Sequence, residues 1–303
     1  MKKTNTPKIK QHHFKISPGE KAINVISYIV FIIITILCAY PFYYLFICTI
    51  SDNLLVEYGK ITFYPIGFQL ENYKDVFKIN NLLNATFISV ARVISAVAIT
   101  VSVTSYMAYF FTKTQMWGRK FWYRYCVITM YFSAGLIPQY LTNRMLGLNN
   151  TFWIYIIPGC LAVYNMVLVK TSIEAMPPSL EESAYLDGAG FFTRFIRIVL
   201  PLQKPILATI SLFSAVGHWN DFMTTKIYVT NTKLYPLQFL LHEMLQQVQA
   251  AMGQMEFEDP TAKITPTGAR MTLTAIVVIP IMCVYPFIQK YYVKGIMIGA
   301  VKG

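Results

Sequence analysis

Charged side chains are scarce in this 303-residue sequence, at 13% of residues, whereas hydrophobic residues make up 55% and aromatic residues 15%. A soluble domain carries about 25% charged residues, so this chain has too little charge to cover the surface of a soluble protein. The five cysteines form no CxxC pair, which excludes a disulfide scaffold and a zinc-finger pattern. The composition therefore predicts an integral membrane protein built from α-helices.

The sequence also has no phosphate-binding loop, because no stretch matches G-x-x-x-x-G-K-[ST]. Such a loop uses backbone amides and a lysine to hold nucleotide phosphates. We therefore expect a chain that is not an enzyme and that binds no ATP itself.

Six apolar stretches are long enough to be membrane-spanning helices, since a bilayer needs about 20 mostly apolar residues per helix. The first is too long for a secretory signal, so it is predicted to be an uncleaved span that follows a tail over residues 1–21. Residues 22–303 would then form one six-span domain. The predicted spans lie near residues 23–50, 85–111, 121–141, 152–169, 206–225 and 271–288.

The basic residues are distributed unevenly between the two sides of this topology. If the N-terminus is cytoplasmic, the whole net charge of +12 falls on the inner segments. The positive-inside rule then places both termini, the loop 174–204 and the tail 289–303 in the cytoplasm, and the loop 226–270 outside. The basic residues are dispersed at helix ends, so the predicted partner for this charge is membrane lipid and not nucleic acid.

The cytoplasmic loop 174–204 predicts two short helices separated by a tight turn. A Pro-Pro pair ends the preceding helix. Ser179 and Glu182 match a capping box, which predicts that a new helix starts there. This helix runs to Asp187, where glycines permit the turn, and a second amphipathic helix follows and ends at Pro201.

The same loop contains Glu182-Ser183-Ala184, then Gly188 and, after nine further residues, Ile198-Val199-Leu200-Pro201. This spacing resembles the E-A-A-x-x-x-G-x(9)-I-x-L-P signature of ABC-importer permeases, with serine in place of one alanine. In that family the element is a coupling helix that docks into a cleft on a cytoplasmic ATPase. The resemblance implies that the coupling residues are Glu182, Ser183, Ala184, Asp187, Gly188, Ile198, Leu200 and Pro201.

Other segments resemble the carbohydrate-uptake branch of these permeases, so the resemblance covers most of the chain from about Ala22 onward. It points to permeases for oligosaccharides and polysaccharide fragments in Gram-positive bacteria. It implies a type I ABC-importer permease fold, an all-α membrane protein whose six transmembrane helices form half of a sugar path. The segments are Ser133–Leu141, Gly147–Thr151, Gly217–Asp221, Tyr235–Gln238, Gln289–Gly295 and Gly299–Gly303.

The resemblance also implies partners. These are a second homologous permease subunit, two cytoplasmic ATPase subunits that hold ATP and Mg²⁺, and an extracellular sugar-binding lipoprotein. The chain itself would bind no cofactor or metal and would reside in the cell membrane. The external loop 226–270 is a candidate contact for the binding protein, with a linker as the alternative. Two other functions stay open: a permease of this superfamily for peptides or amino acids, and an ion-coupled secondary transporter.

Polar residues within the apolar stretches are candidates for the substrate path, because they are costly in a membrane and usually face the bundle interior. Trp219 offers an aromatic face to a sugar ring, although helix packing is the alternative for this residue. Arg92 is a candidate ion-pair partner of Asp221, with snorkelling to the interface as the alternative. The predicted path residues are His218, Trp219, Asn220, Asp221, Arg92, Tyr131, Ser133 and Asn165, with Gln139 and Tyr164 as further candidates.

Overall fold

The computed structural model describes residues 18–77, 81–252 and 265–300, and this part of the chain is helical with no β-strand. Most of the predicted N-terminal tail, the middle of the loop 226–270 and the last three residues lie outside the described residues. A helix satisfies its backbone hydrogen bonds within its own segment, which is what a bilayer requires of a spanning element.

Three long helices occupy the first, second and sixth predicted spans: α1 (Pro18–Thr49), α4 (Leu82–Thr112) and α14 (Pro266–Ala300). Each of α1 and α4 is by itself long and apolar enough to cross a membrane. The short helices α2 (Asn53–Glu57) and α3 (Glu71–Val76) lie between α1 and α4. These three predicted spans are therefore confirmed as helices, and α14 extends beyond its predicted bounds at both ends.

The third predicted span, 121–141, is wrong as a continuous helix. It consists of α5 (Arg119–Thr129) and α6 (Leu136–Met145), which are separated by an unwound segment. Gly135 precedes α6 with φ of 86°, a left-handed backbone that favours glycine. Pro138 falls in the first turn of α6, where its missing amide proton is not needed.

The fourth and fifth predicted spans are also interrupted. The fourth begins with two 3₁₀ turns and continues as α7 (Val163–Glu174), with a bend of 49° after the Pro158-Gly159 pair. The fifth consists of α11 (Lys204–Asn220) and α12 (Met223–Tyr228). Between them the backbone of Asp221 is extended, and its carboxylate accepts the amide of Thr224 at 3.1 Å. That bond caps the start of α12.

The loop predicted to couple to an ATPase does contain two short helical segments, with local differences. The first, α8 (Ser179–Leu186), starts without a side-chain cap, so the predicted capping box is wrong. The backbone of Pro178 is already helical, which leaves Ser179 inside the helix and not at its cap. The chain turns by 83° as it enters α11.

The second segment contains α9 (Phe191–Arg194), a π-helical turn (Phe195–Val199) and α10 (Leu200–Leu202). It continues past Pro201, where the sequence predicted its end. The wider π turn before this proline accommodates the ring, which otherwise clashes with the carbonyl four residues earlier.

Helix α4 is the centre of the bundle and packs against α7, α11 and α13 (Leu237–Met252). Its most apolar 18-residue window is 28% buried, whereas that of α1 is entirely exposed. Helix α1 packs against α14 through its last turns, where Leu45 and Ile47 are buried. We call the end of the bundle that carries α8 and the last turn of α4 the α8 end.

Gly268, in the first turn of α14, packs closely against Asn53 of α2. A Cβ added there would lie 2.2 Å from Oδ1 of Asn53. Asn53 cannot easily move, because it is buried and its amide donates to Asn72 at 2.7 Å. We expect Gly268→Ala to lower the free energy of unfolding by about 1–3 kcal/mol. The thermal midpoint of the detergent-solubilised protein measures this change.

The matched control is Gly217→Ala in α11, where an added Cβ meets nothing within 4 Å. Alanine in a helix interior is favoured over glycine by roughly 0.5–1 kcal/mol, so this variant should be at least as stable as the original protein. Equal midpoints for the two variants would contradict the close packing of α14 on α2.

Candidate functional site

An ion pair between Arg92 and Asp221 joins α4 to the break between α11 and α12. One guanidinium nitrogen bonds the Asp221 carboxylate, and the other donates to its backbone carbonyl at 2.8 Å. The side chains are 2% and 27% exposed, respectively. The carbonyl has no helical partner at the break, so Arg92 satisfies both a charge and a backbone group. The pairing that the sequence offered as one alternative is present.

Tyr155 completes this cluster and was not identified from the sequence. Its ring lies beneath the Arg92 guanidinium, with 4.4 Å from the guanidinium carbon to the ring centroid. Its hydroxyl lies 3.0 Å from the Thr225 hydroxyl and donates to the Leu234 carbonyl at 2.9 Å. The cation–π contact and these hydrogen bonds fix the loop after α12 to the 3₁₀ turns. No local pattern marks this tyrosine among the 21 in the chain.

The remaining predicted path residues are dispersed. Trp219 packs between helices and donates its indole N–H to the carbonyl of Val277 at 3.2 Å, which favours the helix-packing alternative. His218 is half-buried and lies close to the charges of Arg92 and Asp221. Tyr131 and Ser133 are exposed, whereas Asn165 is buried, and these three remain predictions as path residues. Asn220 is exposed at the end of α11.

A groove with a volume of about 630 Å³ opens beside the ion pair, between α6, the 3₁₀ turns and α12. Gly159, which lies next to His218, and Thr224, which caps onto Asp221, both line it. Gln139 is the one predicted path residue among the described residues that line it; the others, including the exposed Tyr164, do not line it. The polar and aromatic side chains that line it are Gln139, Thr142, Asn143, Thr224 and Tyr228.

A second charged cluster lies at the α8 end, around Glu181. Its carboxylate accepts hydrogen bonds from Tyr109 at 2.7 Å, from Lys113, and from Arg194 at 3.3 Å. Burial opposes ionisation of Glu181, but the Lys113 ammonium and the two other donors outweigh it and hold the pKa of this carboxyl below its usual range. Glu181 thereby joins α8 to the end of α4 and to α9.

The signature directs attention to Glu182, which is exposed, and so misses Glu181. The spacing of residues along α8 contains a signal that could have identified Glu181. Glu181 and Tyr185 are four residues apart on one face of α8, and Arg194 lies over the Tyr185 ring at 5.1 Å. Spacing in the sequence can therefore indicate that Glu181 and Tyr185 share a face of α8, but not which residues contact that face.

The opposite face of α8 is exposed, with Leu186 at 85% of its full accessibility. Gly188 closes the turn with φ of 81°, and a Cβ there would meet nothing within 4 Å. The predicted coupling residues divide into two groups. The exposed ones are Glu182, Ser183, Asp187, Gly188 and Pro201, and the half-buried ones are Ala184, Ile198 and Leu200.

The described ranges contain no group of three or more His, Cys, Asp or Glu side chains that could hold a metal ion.

The Arg92 cluster is tested by a double-mutant cycle. Arg92→Met leaves the carboxylate and carbonyl of Asp221 without their donor, and Asp221→Asn leaves a buried guanidinium without a counter-charge. We expect each single change to cost about 3 kcal/mol of unfolding free energy. The double variant should cost clearly less than the sum, measured by thermal or denaturant unfolding. Additive effects would show that the two side chains do not interact.

The Glu181 cluster is tested by Glu181→Gln, which removes the charge that balances Lys113. We expect a loss of about 2 kcal/mol, less than for a fully buried pair because both side chains keep some exposure. Since the pKa of Glu181 is lowered, its contribution is present at neutral pH and is lost as the solution is acidified through that pKa. Thermal midpoints recorded across acidic pH measure both effects.

Glu174→Gln is the control for this variant. Glu174 pairs with Lys170 one helical turn earlier and is 47% exposed, so its loss should cost well under 1 kcal/mol. A Glu181→Gln protein as stable as this control at neutral pH would argue against the cluster.

Similarities to known proteins agree with this architecture. The chain is 33% identical over 271 residues to the polygalacturonan/rhamnogalacturonan transport system permease protein YtcP of Bacillus subtilis (strain 168), covering 88% of this chain and 94% of that protein. It is 35% identical over 266 residues to protein LplC of the same organism, covering 87% of this chain and 89% of that protein.

The fold is that of a solved chain in a bacterial ABC transporter involved in the import of the acidic polysaccharide alginate. The TM-score is 0.82 at 24% sequence identity, covering 91% of this chain and 98% of that one. The type I importer permease fold implied by the signature is thus confirmed. Residues 20–298 match the family described as binding-protein-dependent transport system inner membrane component. The chain therefore belongs to this family of inner membrane components.

Proposed function

We propose that this chain is one permease subunit of an ATP-driven importer for oligosaccharides and that it forms half of the translocation path. The names of its relatives support the sugar class: one is a polygalacturonan/rhamnogalacturonan transport system permease protein, and the solved transporter is involved in the import of the acidic polysaccharide alginate. Family membership contradicts the alternative of an ion-coupled secondary transporter. It also agrees with a non-catalytic subunit, with ATP and Mg²⁺ held by partner ATPases.

The exposed face of α8 is the single observation that carries the coupling role. An isolated chain gains nothing from presenting Leu186 at 85% exposure beside the small, exposed side chain of Ser183. Such a patch of apolar and small residues is typical of a surface that another protein covers. We propose that each of two ATPase subunits covers one such face, one on this chain and one on a homologous permease subunit.

The two charged clusters suggest how motion at α8 reaches the membrane. Glu181 fixes α8 to the end of α4, and Arg92, twenty residues earlier on the same helix, fixes α4 to the start of α12. Helix α4 has 31 residues and is about 45 Å long, so it spans both clusters as one rigid element. A push on α8 would move α4 and, through Asp221, the wall of the groove. The sugar biases this cycle through its different affinity for the two states.

The remaining parts of the proposal concern placement. The charge distribution supports a cell-membrane protein with both termini in the cytoplasm and α8 at the inner surface. The opposite end, including α13, would then face an extracellular sugar-binding lipoprotein.

Gly188 provides the test of this function. Gly188→Trp should place a large side chain on the exposed turn and prevent association with the ATPase, which co-purification of the complex measures. Loss of ATP-dependent sugar uptake in proteoliposomes should accompany it. The spans should remain inserted, because Gly188 lies in an exposed turn where an added Cβ meets nothing within 4 Å.

Gly188→Asn is the control, because asparagine tolerates the left-handed backbone that this turn requires and adds little bulk. It should keep most of the association and uptake. Undiminished association of Gly188→Trp with the ATPase would overturn the proposed coupling role.

A further inference from the structure

The groove beside the Arg92 pair has the size and shape of a small-molecule site. Its volume of about 630 Å³ lies within the range of roughly 300–1,000 Å³ that such sites occupy. It is bounded by the three interrupted spans, and its walls are α6, the 3₁₀ turns before α7, and α12. In a membrane bundle, irregular backbone occurs where it is buried or lines a cavity.

Two side-chain amides that line the groove have unused hydrogen-bonding capacity. Gln139 and Asn143 lie one turn apart on α6, and neither amide group has a hydrogen-bond partner in the described part of the chain. Asn143 is only 9% exposed, and it lines the groove. An amide offers both a donor and an acceptor, which is what a sugar hydroxyl needs.

An aromatic ring lies on the opposite wall. Tyr228 stacks on Tyr140, with ring centroids 5.7 Å apart and planes inclined by 17°. Its backbone carbonyl accepts the amide of Asn150 at 2.9 Å, so both the ring and its backbone are held in place. A fixed aromatic face can pack against the apolar C–H face of a sugar ring.

None of the described residues that line the groove is charged. The charges of Arg92 and Asp221, next to the lining residue Thr224, are committed to each other and to the backbone. They hold the start of α12 in position and do not enter the groove. A carboxylate-bearing sugar would find no counter-charge here, and its desolvation would not be compensated.

We infer that this groove is a subsite for an uncharged sugar unit of the transported oligosaccharide. Tyr228 packs on the sugar ring, and Gln139 and Asn143 hydrogen-bond its hydroxyls. The inference rests on the proposed function and adds the place and the chemical character of one subsite to it.

The test uses the complete importer, with its ATPase subunits and binding protein, reconstituted in proteoliposomes. The probes are radiolabelled xylotetraose and galactotetraose, which are neutral, and tetragalacturonate, which is acidic. Gln139→Leu removes one amide at nearly constant volume, and Tyr228→Ala removes the ring. Each should lower the initial uptake rate of a neutral tetrasaccharide about ten-fold or more, which corresponds to about 1.4 kcal/mol.

Conservative and distant variants separate binding from folding. Tyr228→Phe keeps the ring and should retain most of the uptake. Tyr125→Ala on α5, which is exposed and outside the groove, should behave like the original protein. All variants should co-purify with the ATPase and hydrolyse ATP within two-fold of the original basal rate.

Neutral-sugar uptake within two-fold of the original rate in both Gln139→Leu and Tyr228→Ala would overturn the subsite. Uptake restricted to tetragalacturonate would overturn its uncharged character. In both of these cases the complex would still contain its ATPase subunits and hydrolyse ATP. Failure of the proposed function would instead appear as a chain that does not associate with the ATPase at all.

Discussion

Every interruption of a helix inside an apolar bundle frees backbone groups that lipid cannot satisfy, and this constraint organises the structure. At the break after α11, Arg92 donates to the carbonyl of Asp221, and the Asp221 carboxylate accepts the amide of Thr224. Tyr155 donates to the carbonyl of Leu234 beyond α12. The break after α11 is thus stabilised by polar side chains that replace the missing helical bonds.

The interruptions also explain where a solute can bind. A continuous helix presents only side chains, whereas the unwound ends of α6, α7 and α12 make a concave wall beside which polar groups can be exposed. The charged cluster next to that wall gives it rigidity without adding charge to it. Stability and recognition therefore use different residues, with the ion pair supporting the groove and neutral side chains lining it.

Helix α4 connects this region to the α8 end. Its central position means that it contacts the helices of both charged clusters, and its length exceeds that of the interrupted helices around it. A rigid central helix held at Arg92 and at its last turn is suited to transmit a displacement, because packed interiors deform little. The exposed face of α8 and the groove are thus two sites that helix α4 connects.

Composition and local spacing determined the helical membrane class, the positions of the six apolar stretches and the loop that carries the permease signature, because these depend on neighbouring residues alone. They could not locate the breaks in three spans, and they could not identify Glu181 as the residue that anchors α8 to α4. Arg92 and Asp221 lie 129 positions apart, and Tyr109 and Glu181 lie 72 apart. Only the tertiary structure decided these contacts, because they depend on how whole helices pack and on which backbone groups a break leaves unsatisfied.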